Sequence, residues 1–325
     1  MVNTLSMPIV NNLPPLISFA ELLSTEWPEE VFIEGGLLSR GDSMMIGAES
    51  KAGKSTLLMT LVRQLLIGGE FLGFKVIKPL KVLLMQAEIR ESRLKERIIS
   101  KFSSINSSSL QTSYTWNTRG QILLDRDLSK IKSSIELSKP DVLILDPFIN
   151  FHTASENDAT QITNVFRKLD AIKEEFNIAL IISQHFRKLG QSKDSLLESI
   201  RGSTAFRGWA VTTIALEGRT TNEYRRLEFD IRNNDQPIRR IIKYNRESKE
   251  FDWHDPLAIV LDMLRQEMQF KELAVNQVIG LIISKCGHIV GKKRERAFQI
   301  KDLLVNSQML SSREDGKRVL ISVHS

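Results

Sequence analysis

The 325-residue sequence predicts an α/β fold, a mostly parallel sheet with covering helices, followed by a small C-terminal domain of helices closed by a hairpin. Three observations predict it. The runs Val82-Leu83-Leu84-Met85, Val142-Leu143-Ile144-Leu145 and Ile178-Ala179-Leu180-Ile181-Ile182 are almost continuously apolar, as strands covered on both faces must be. The stretches from Glu91 to Phe102 and from Ala159 to Phe176 are long and amphipathic enough to be the crossover helices that a parallel sheet needs. From Asp255 onward the pattern turns helical and returns to a strand only at Val319 to Val323.

In chain order, residues 1–26 carry Pro8, Pro14 and Pro15 between short apolar pieces and read as an arm on the surface. Strand character begins at Val31-Phe32-Ile33, turns at Gly35-Gly36 and Arg40-Gly41-Asp42, and resumes in Met44-Met45-Ile46. A helix follows from Lys54 to about Ile67, and Ser103 to Ser109 reads as a serine-rich loop. After Arg201 come shorter alternating strands, Thr212 to Leu216, Arg225 to Ile231 and Arg239 to Tyr244, expected to finish the sheet as antiparallel hairpins joined by turns such as Asn233-Asn234-Asp235. Helices are expected at Pro256 to Phe270, Leu273 to Ser284 and Glu295 to Leu304, and with the closing strand they suggest a winged-helix-like domain. The domain reading is an arm at 1–26, a core at 27–254 and an appendage at 255–325.

Composition sets the outer bounds. With 42% hydrophobic and 26% charged residues the chain can bury a core, and nothing in it points to disorder. Lys and Arg exceed Asp and Glu by 45 to 39, an excess compatible with nucleic acid. The single Cys286 excludes an intrachain disulfide and a cysteine-built zinc site. No run of about 18 apolar residues occurs, so a membrane partner is not expected and a cytoplasmic, reducing location is.

The chemistry concentrates in Ala48-Glu49-Ser50-Lys51-Ala52-Gly53-Lys54-Ser55-Thr56, which lies between a strand and a helix and fits x-x-x-x-x-Gly-Lys-Ser. Gly47 precedes it, and Ala48 stands where the first glycine of such a loop usually stands. Backbone N–H groups of residues 50–55 can wrap a phosphate at the helix N-terminus, Lys54 can reach the β- and γ-phosphates of ATP, and the Ser55 hydroxyl can ligate Mg²⁺. Asp146 ends a buried strand, where a carboxylate points into the ligand crevice and can hold the same ion through water; an Asp before Pro147 also makes a helix cap. Glu88 follows Val82 to Ala87 and is a candidate general base, or else an acid in a helix's first turn. Gln184 and His185 close the strand from Ile178, where a polar side chain can sense a γ-phosphate. Residues 187–203 have the Lys, Ser and Gly content of a loop that reaches nucleic acid, or of a solvated surface loop.

Taken together these residues resemble the RecA-like motor core of hexameric replicative helicases, the RepA branch of the DnaB-like family, and the related AAA_25-type mobile-element ATPases. The likeness spans about Trp27 to Trp253. It rests on the phosphate loop, Phe71-Leu72-Gly73-Phe74, Met85-Gln86-Ala87-Glu88, Leu143-Ile144-Leu145-Asp146-Pro147-Phe148, Ser183-Gln184-His185 and Arg201-Gly202-Ser203-Thr204-Ala205. The resemblance implies a catalytic glutamate at Glu88, a metal-linked aspartate at Asp146, a γ-phosphate sensor at Gln184 or His185, and an arginine finger donated by a neighbouring subunit. The finger lies in a Lys-x-Arg-Asn pattern in the family. Asp230-Ile231-Arg232-Asn233 takes that place here, with Asp230 in place of the lysine, so Arg232 is the candidate and Arg201, Arg207 and Arg219 are rivals.

The expected function is therefore an ATP-dependent motor on single-stranded DNA, assembled as a homo-oligomer, by the resemblance a hexamer, that replicates a plasmid, phage or similar element and works with replication-initiation proteins. A DNA-dependent ATPase without unwinding and a nucleotide-gated DNA-binding regulator are the alternatives. The region from Pro256 holds eleven basic and seven acidic residues, and Lys292, Lys293, Arg294 and Arg296 cluster at a helix start where phosphates, or nothing but solvent, would be met.

Overall fold

A computed structural model of the chain describes residues 17–25, 30–105, 107–117, 122–185, 205–217, 224–232, 234–235, 237–269, 271–316 and 318–323. The chain divides into two compact units, Met1–Glu30 and Val31–Ser325. The first contains α1 (Phe19–Ser24), capped by the Ser18 hydroxyl on Glu21 N, with none of its residues buried.

In the second unit, β1 (Val31–Ile33) and β2 (Leu38–Ser39) form a small ribbon, followed by β3 (Ser43–Ala48) and α2 (Lys54–Ile67). After the short ribbon β4 (Glu70–Phe71) and β5 (Phe74–Lys75) come β6 (Val82–Gln86), α3 (Glu91–Phe102), α4 (Ser107–Gln111), β7 (Tyr114–Asn117), α5 (Leu128–Ser138), β8 (Val142–Asp146), a 3-10 turn at Phe148–Phe151, α6 (Ala159–Phe176) and β9 (Ala179–His185). The core ends with α7 (Ala205–Trp209), β10 (Thr212–Glu217), β11 (Tyr224–Ile231), β12 (Ile238–Tyr244) and β13 (Phe251–His254).

Nine strands form one sheet in the order β13-β12-β11-β10-β3-β9-β8-β6-β7. The six from β10 to β7 are parallel, and β11 to β13 add antiparallel strands at one edge. β10 is thus not merely a hairpin strand, as its alternating sequence suggested. It pairs in parallel with β3, Thr212 opposite Met44 and Leu216 opposite Ala48, and its run Thr212 to Leu216 is buried throughout. The expected three buried strands are β6, β8 and β9, and alternate residues feed two cores. Leu84, Ile144 and Ile181 meet α2, whereas Leu83, Leu143 and Leu180 meet α5 and α6.

Two segments differ from expectation. The serine-rich stretch gives way to helix α4, because Leu110 packs on the core and draws the second half of the run into a turn of helix. The edge strand β7, Tyr-Thr-Trp-Asn, carries polar residues because only one of its edges is paired.

The last segment contains α8 (Pro256–Met268), β14 (Leu273–Ala274), α9 (Val275–Val290), α10 (Arg294–Asn306), β15 (Leu310–Asp315) and β16 (Arg318–Val323). Its strands pair in the order β14-β16-β15, and its own apolar cluster joins Val260, Leu264, Ile279, Ile282, Ile300, Leu304 and Ile321. α8 starts on Pro256 behind the cap Asp255, whose carboxylate accepts from Leu257 N at 2.9 Å. α9 runs six residues beyond the expected Ser284, because Cys286 and Ile289 keep its apolar stripe going until Gly291 ends it. No helix among the described residues is long and apolar enough to cross a membrane.

Candidate functional site

The site lies at the C-terminal ends of the parallel strands, where an open α/β sheet presents its crevice. β3 is buried along its whole length and delivers the chain into the loop from Glu49 to Gly53. Lys51 and Gly53 take positive φ, 64° and 99°, and Ala52 N donates to Glu49 O at 3.1 Å, so the loop closes tightly on itself. Only glycine fits at 53: a Cβ there would lie 3.0 Å from the Phe251 ring and run into the Arg225 guanidinium. Gly53 caps α2 with no side-chain cap, and no acidic residue occupies the helix's first turn. The first intrahelical bond runs from Leu57 N to Gly53 O at 2.9 Å, so the amides of Lys54, Ser55 and Thr56 have no acceptor within the helix. This is an anion-binding end by construction.

Lys54 projects from that end into a buried set of polar groups. Its Nζ lies 2.9 Å from Asp146 Oδ1 and donates to Ser183 Oγ at 2.6 Å, and the Ser183 hydroxyl donates to the same carboxylate oxygen. Lys54 is 4% and Asp146 6% exposed along the side chain, so the pair is held out of water. Three strands converge here, because β3 leads into Lys54, β8 ends on Asp146 and β9 carries Ser183. The donor set fits a nucleotide triphosphate with Mg²⁺: an uncapped helix end and a lysine for phosphate oxygens, with Ser55 and Asp146 as hard oxygen donors for the ion.

Glu88 is exposed in the bend after β6, two residues past Gln86, and Ala87 N donates to Asp146 O at 2.9 Å, which ties that bend to β8. Gln184 is 7% exposed and lies opposite Gly47, whereas His185 is exposed and lies opposite Ala48. Burial, and then the Lys54 ammonium, pull the His185 imidazole below its ordinary range, opposed by the carboxylates of Glu88, Asp146 and Glu156. The crevice thus brings together Lys54, Ser55, Asp146, Glu88, Gln184 and His185.

Arg232 is elsewhere. β11 runs antiparallel to β10, so Ile231 pairs with Thr212, opposite Met44 at the start of β3, while the phosphate loop leaves from its end. The four steps from Met44 to Ala48 amount to roughly 13 Å of strand. Arg232 is exposed there and donates from Nη2 to Gly208 O at 2.8 Å. It cannot complete the site of its own subunit. Arg201, Arg219, Lys188 and Lys193 fall outside the described residues, as does the side chain of Arg207.

Sequence reasoning missed three residues. Arg225 is buried, donates from Nη1 to the Ala52 carbonyl and places its guanidinium 4.8 Å from the Phe251 ring centre, bracing the loop from below. Its signal was available, since Arg225 opens the inward stripe Leu227, Phe229 and Ile231, where an arginine is out of place. Ser183 stood in the quoted Ser-Gln-His run. Glu156, whose carboxylate accepts from Gln184 Nε2, lies in a turn with no sequence signal.

Residues 12–191 match the AAA_25 family model, described as an AAA domain. Among solved structures, the ATPase domain of a DnaB-like helicase is similar with a TM-score of 0.51 at 14% identity, covering 66% of this chain and 86% of that one. A DnaB-like replicative helicase solved with its primase interactions gives 0.49 at 15% identity, covering 66% of this chain and 57% of that one. A KaiC-like protein of Pyrococcus horikoshii OT3 gives 0.47 at 15%, covering 69% and 94%. No curated protein matches the chain. The first likeness establishes the fold as RecA-like.

Proposed function

The chain belongs to AAA_25, a family of AAA domains, and from that premise we propose that it is a helicase-type motor that hydrolyses ATP between subunits of a homo-oligomer, a hexamer by its resemblance, and moves along single-stranded DNA. The observation that carries this reading is the buried meeting of Lys54, Asp146 and Ser183 at the uncapped N-terminus of α2. The loop amides and Lys54 bind and orient the β- and γ-phosphates, and Glu88 takes the proton of the attacking water. Ser55 and Asp146 hold Mg²⁺, which supplies charge neutralisation at the phosphates. His185 and Gln184 report the γ-phosphate to the chain that follows β9.

Arg232 lies about a strand's length from its own loop, which supports its use as a finger in a neighbour's site. The helix order of residues 255–325 and the β14-β16-β15 sheet support a winged-helix domain with α10 as its DNA-facing helix. Within α10 and its approach, Arg294 is turned to Asn276 at 2.7 Å, which leaves Lys292, Lys293 and Arg296 as the candidate phosphate contacts. A replication role on a plasmid, phage or other mobile element, with initiation proteins as partners, is the setting this combination fits.

The test is ATP turnover with and without single-stranded DNA, joined to unwinding of a forked duplex and mass measurement in the presence of nucleotide. DNA-stimulated turnover abolished by Lys54→Ala, in a multimeric species that unwinds the fork, is the expected result. Turnover that survives Lys54→Ala removes the site assignment. A monomer under these conditions removes the finger, and stimulation without unwinding leaves an ATPase that is not a helicase.

A further inference from the structure

We infer that Glu156 is the positioning residue for the γ-phosphate sensor, acting through Gln184. The inference rests on the ATPase reading above and deepens it. Side chains alternate along β9, so Ser183 and His185 share one face of the sheet and Gln184 points to the other. The contacts agree with this. Ser183 binds Lys54, and the charge of Lys54 acts on His185. Gln184 instead donates its Nε2 to Glu156 Oε1. His185 is therefore the strand-end group on the phosphate side, and Gln184 is its anchor on the side of α6.

The anchor point is itself fixed. Glu156 lies in the turn just before α6, where the Asp158 carboxylate accepts from Thr160 N at 2.9 Å and Gln161 N at 3.1 Å. Those backbone bonds to Gln161 and Thr160 hold Asp158 below the usual carboxylate range despite the cost of partial burial. On the other side of Glu156, Ser155 N donates to Gln161 Oε1 at 3.0 Å, so the turn is clamped to the helix from both flanks. α6 is in turn locked into the second core through Ile162, Val165, Phe166 and Leu169. A rigid helix thus holds a carboxylate against a buried amide whose other end, Oε1, has no hydrogen-bond partner. Removing Glu156 leaves the whole Gln184 amide buried and unpaired, and the cheapest relief is for the end of β9 to turn outward, taking His185 with it. Loss of sensor alignment lowers turnover and leaves nucleotide binding, which depends on Lys54 and the loop, nearly unchanged.

Glu156→Ala, Glu156→Gln and Gln184→Ala in the full chain test this by steady-state turnover, by Kd for a fluorescent ATP analogue and by side-chain amide spectra of glutamine-labelled protein, with the Gln184 signal assigned by its absence in Gln184→Ala. Glu156→Ala is expected to lower kcat roughly 10- to 100-fold with Kd changed less than about 3-fold, and to shift the Gln184 amide signal. Glu156→Gln keeps an acceptor oxygen at the same reach and is expected to recover kcat to within about 3-fold of the parent. In the Gln184→Ala background, Glu156→Ala is expected to cost less than about 2-fold more. A Gln184 signal identical with and without Glu156, or a Glu156→Gln variant as inactive as Glu156→Ala, or fully additive losses, would each overturn the proposal. A parent protein without turnover sinks the ATPase reading alone, because the amide signal still decides whether Glu156 holds Gln184.

Discussion

Lys54 has two jobs in this geometry, and substituting it separates them. Lys54→Met keeps the length and apolar stem of the side chain but removes the ammonium that lies 2.9 Å from Asp146 Oδ1. With the two side chains only 4% and 6% exposed, solvent screens the pair little, so the discount due to a surface ion pair does not apply. Breaking a buried pair by removing one partner costs about 3–5 kcal/mol, and the low end fits here because Ser183 goes on donating to the stranded carboxylate. A loss of about 3 kcal/mol lowers Tm by roughly 6–10 °C for a unit of this size. Adding Asp146→Asn removes the stranded charge, and the double variant is expected to regain at least about half of the loss, a coupling of about 1.5 kcal/mol or more. Scanning calorimetry of the four proteins without nucleotide reads both numbers, and turnover is lost in all three variants. If Lys54→Met melts with the parent, or if the two substitutions simply add, the buried ion pair is not what ties β3, β8 and β9 together.

Gly53→Ala forces a side chain into a left-handed backbone position, which costs about 1–2 kcal/mol, and pushes on Phe251, so Tm should fall by several degrees and ATP turnover should collapse; parent-like turnover would show that the loop has another shape in solution. Arg225→Met keeps the buried stem but removes the donor to Ala52, and KM for ATP should rise roughly 10-fold at nearly unchanged kcat, a split that an effect on chemistry would reverse. Burial holds His152, packed 4.5 Å from the Phe148 ring centre, below the ordinary imidazole range. The unfolded chain then takes up its proton first as pH falls, so the stability this residue contributes is complete above about pH 6.5 and is lost toward the depressed folded value, at no more than about 1.4 kcal/mol per pH unit. His152→Phe should flatten that slope between about pH 7 and 5.5 in urea titrations, and an unchanged slope would assign the acid sensitivity to other groups.

The parallel core was legible because burial on both faces leaves an uninterrupted apolar run, and β6, β8 and β9 each kept theirs. The phosphate loop was legible because its chemistry is local: glycine, lysine and serine must be neighbours to cradle one group. What escaped were partners set by tertiary contact. Arg225 reaches Ala52 across 173 residues and Gln184 reaches Glu156 across 28, and neither distance leaves a trace in periodicity. β10 was misjudged as a hairpin strand because its threonines, Thr212 and Thr213, mimic alternation although both are buried. The edge strand β7 escaped for the opposite reason, since a strand with one free edge needs no apolar run.

β11 is where the two halves of the second unit meet, and its two faces differ by the period of a strand. One face carries Arg225 into the floor of the phosphate loop and continues into the core as Leu227, Phe229 and Ile231. The other carries Arg226 and Glu228, and Glu228, only 2% exposed, binds Arg239 of β12 at 2.9 Å. That second face forms one wall of a cleft of about 280 Å³ whose opposite wall is Leu257, Ile289, Ile300 and Arg296 of the C-terminal helices. Arg232 stands at the far end of the same strand. A displacement of Ala52 that pulls on Arg225 therefore acts on an element that also seats the C-terminal helices and bears the candidate finger. A paired strand, hydrogen-bonded on both edges, shifts as a body more readily than it bends, so the three groups share one mechanical support.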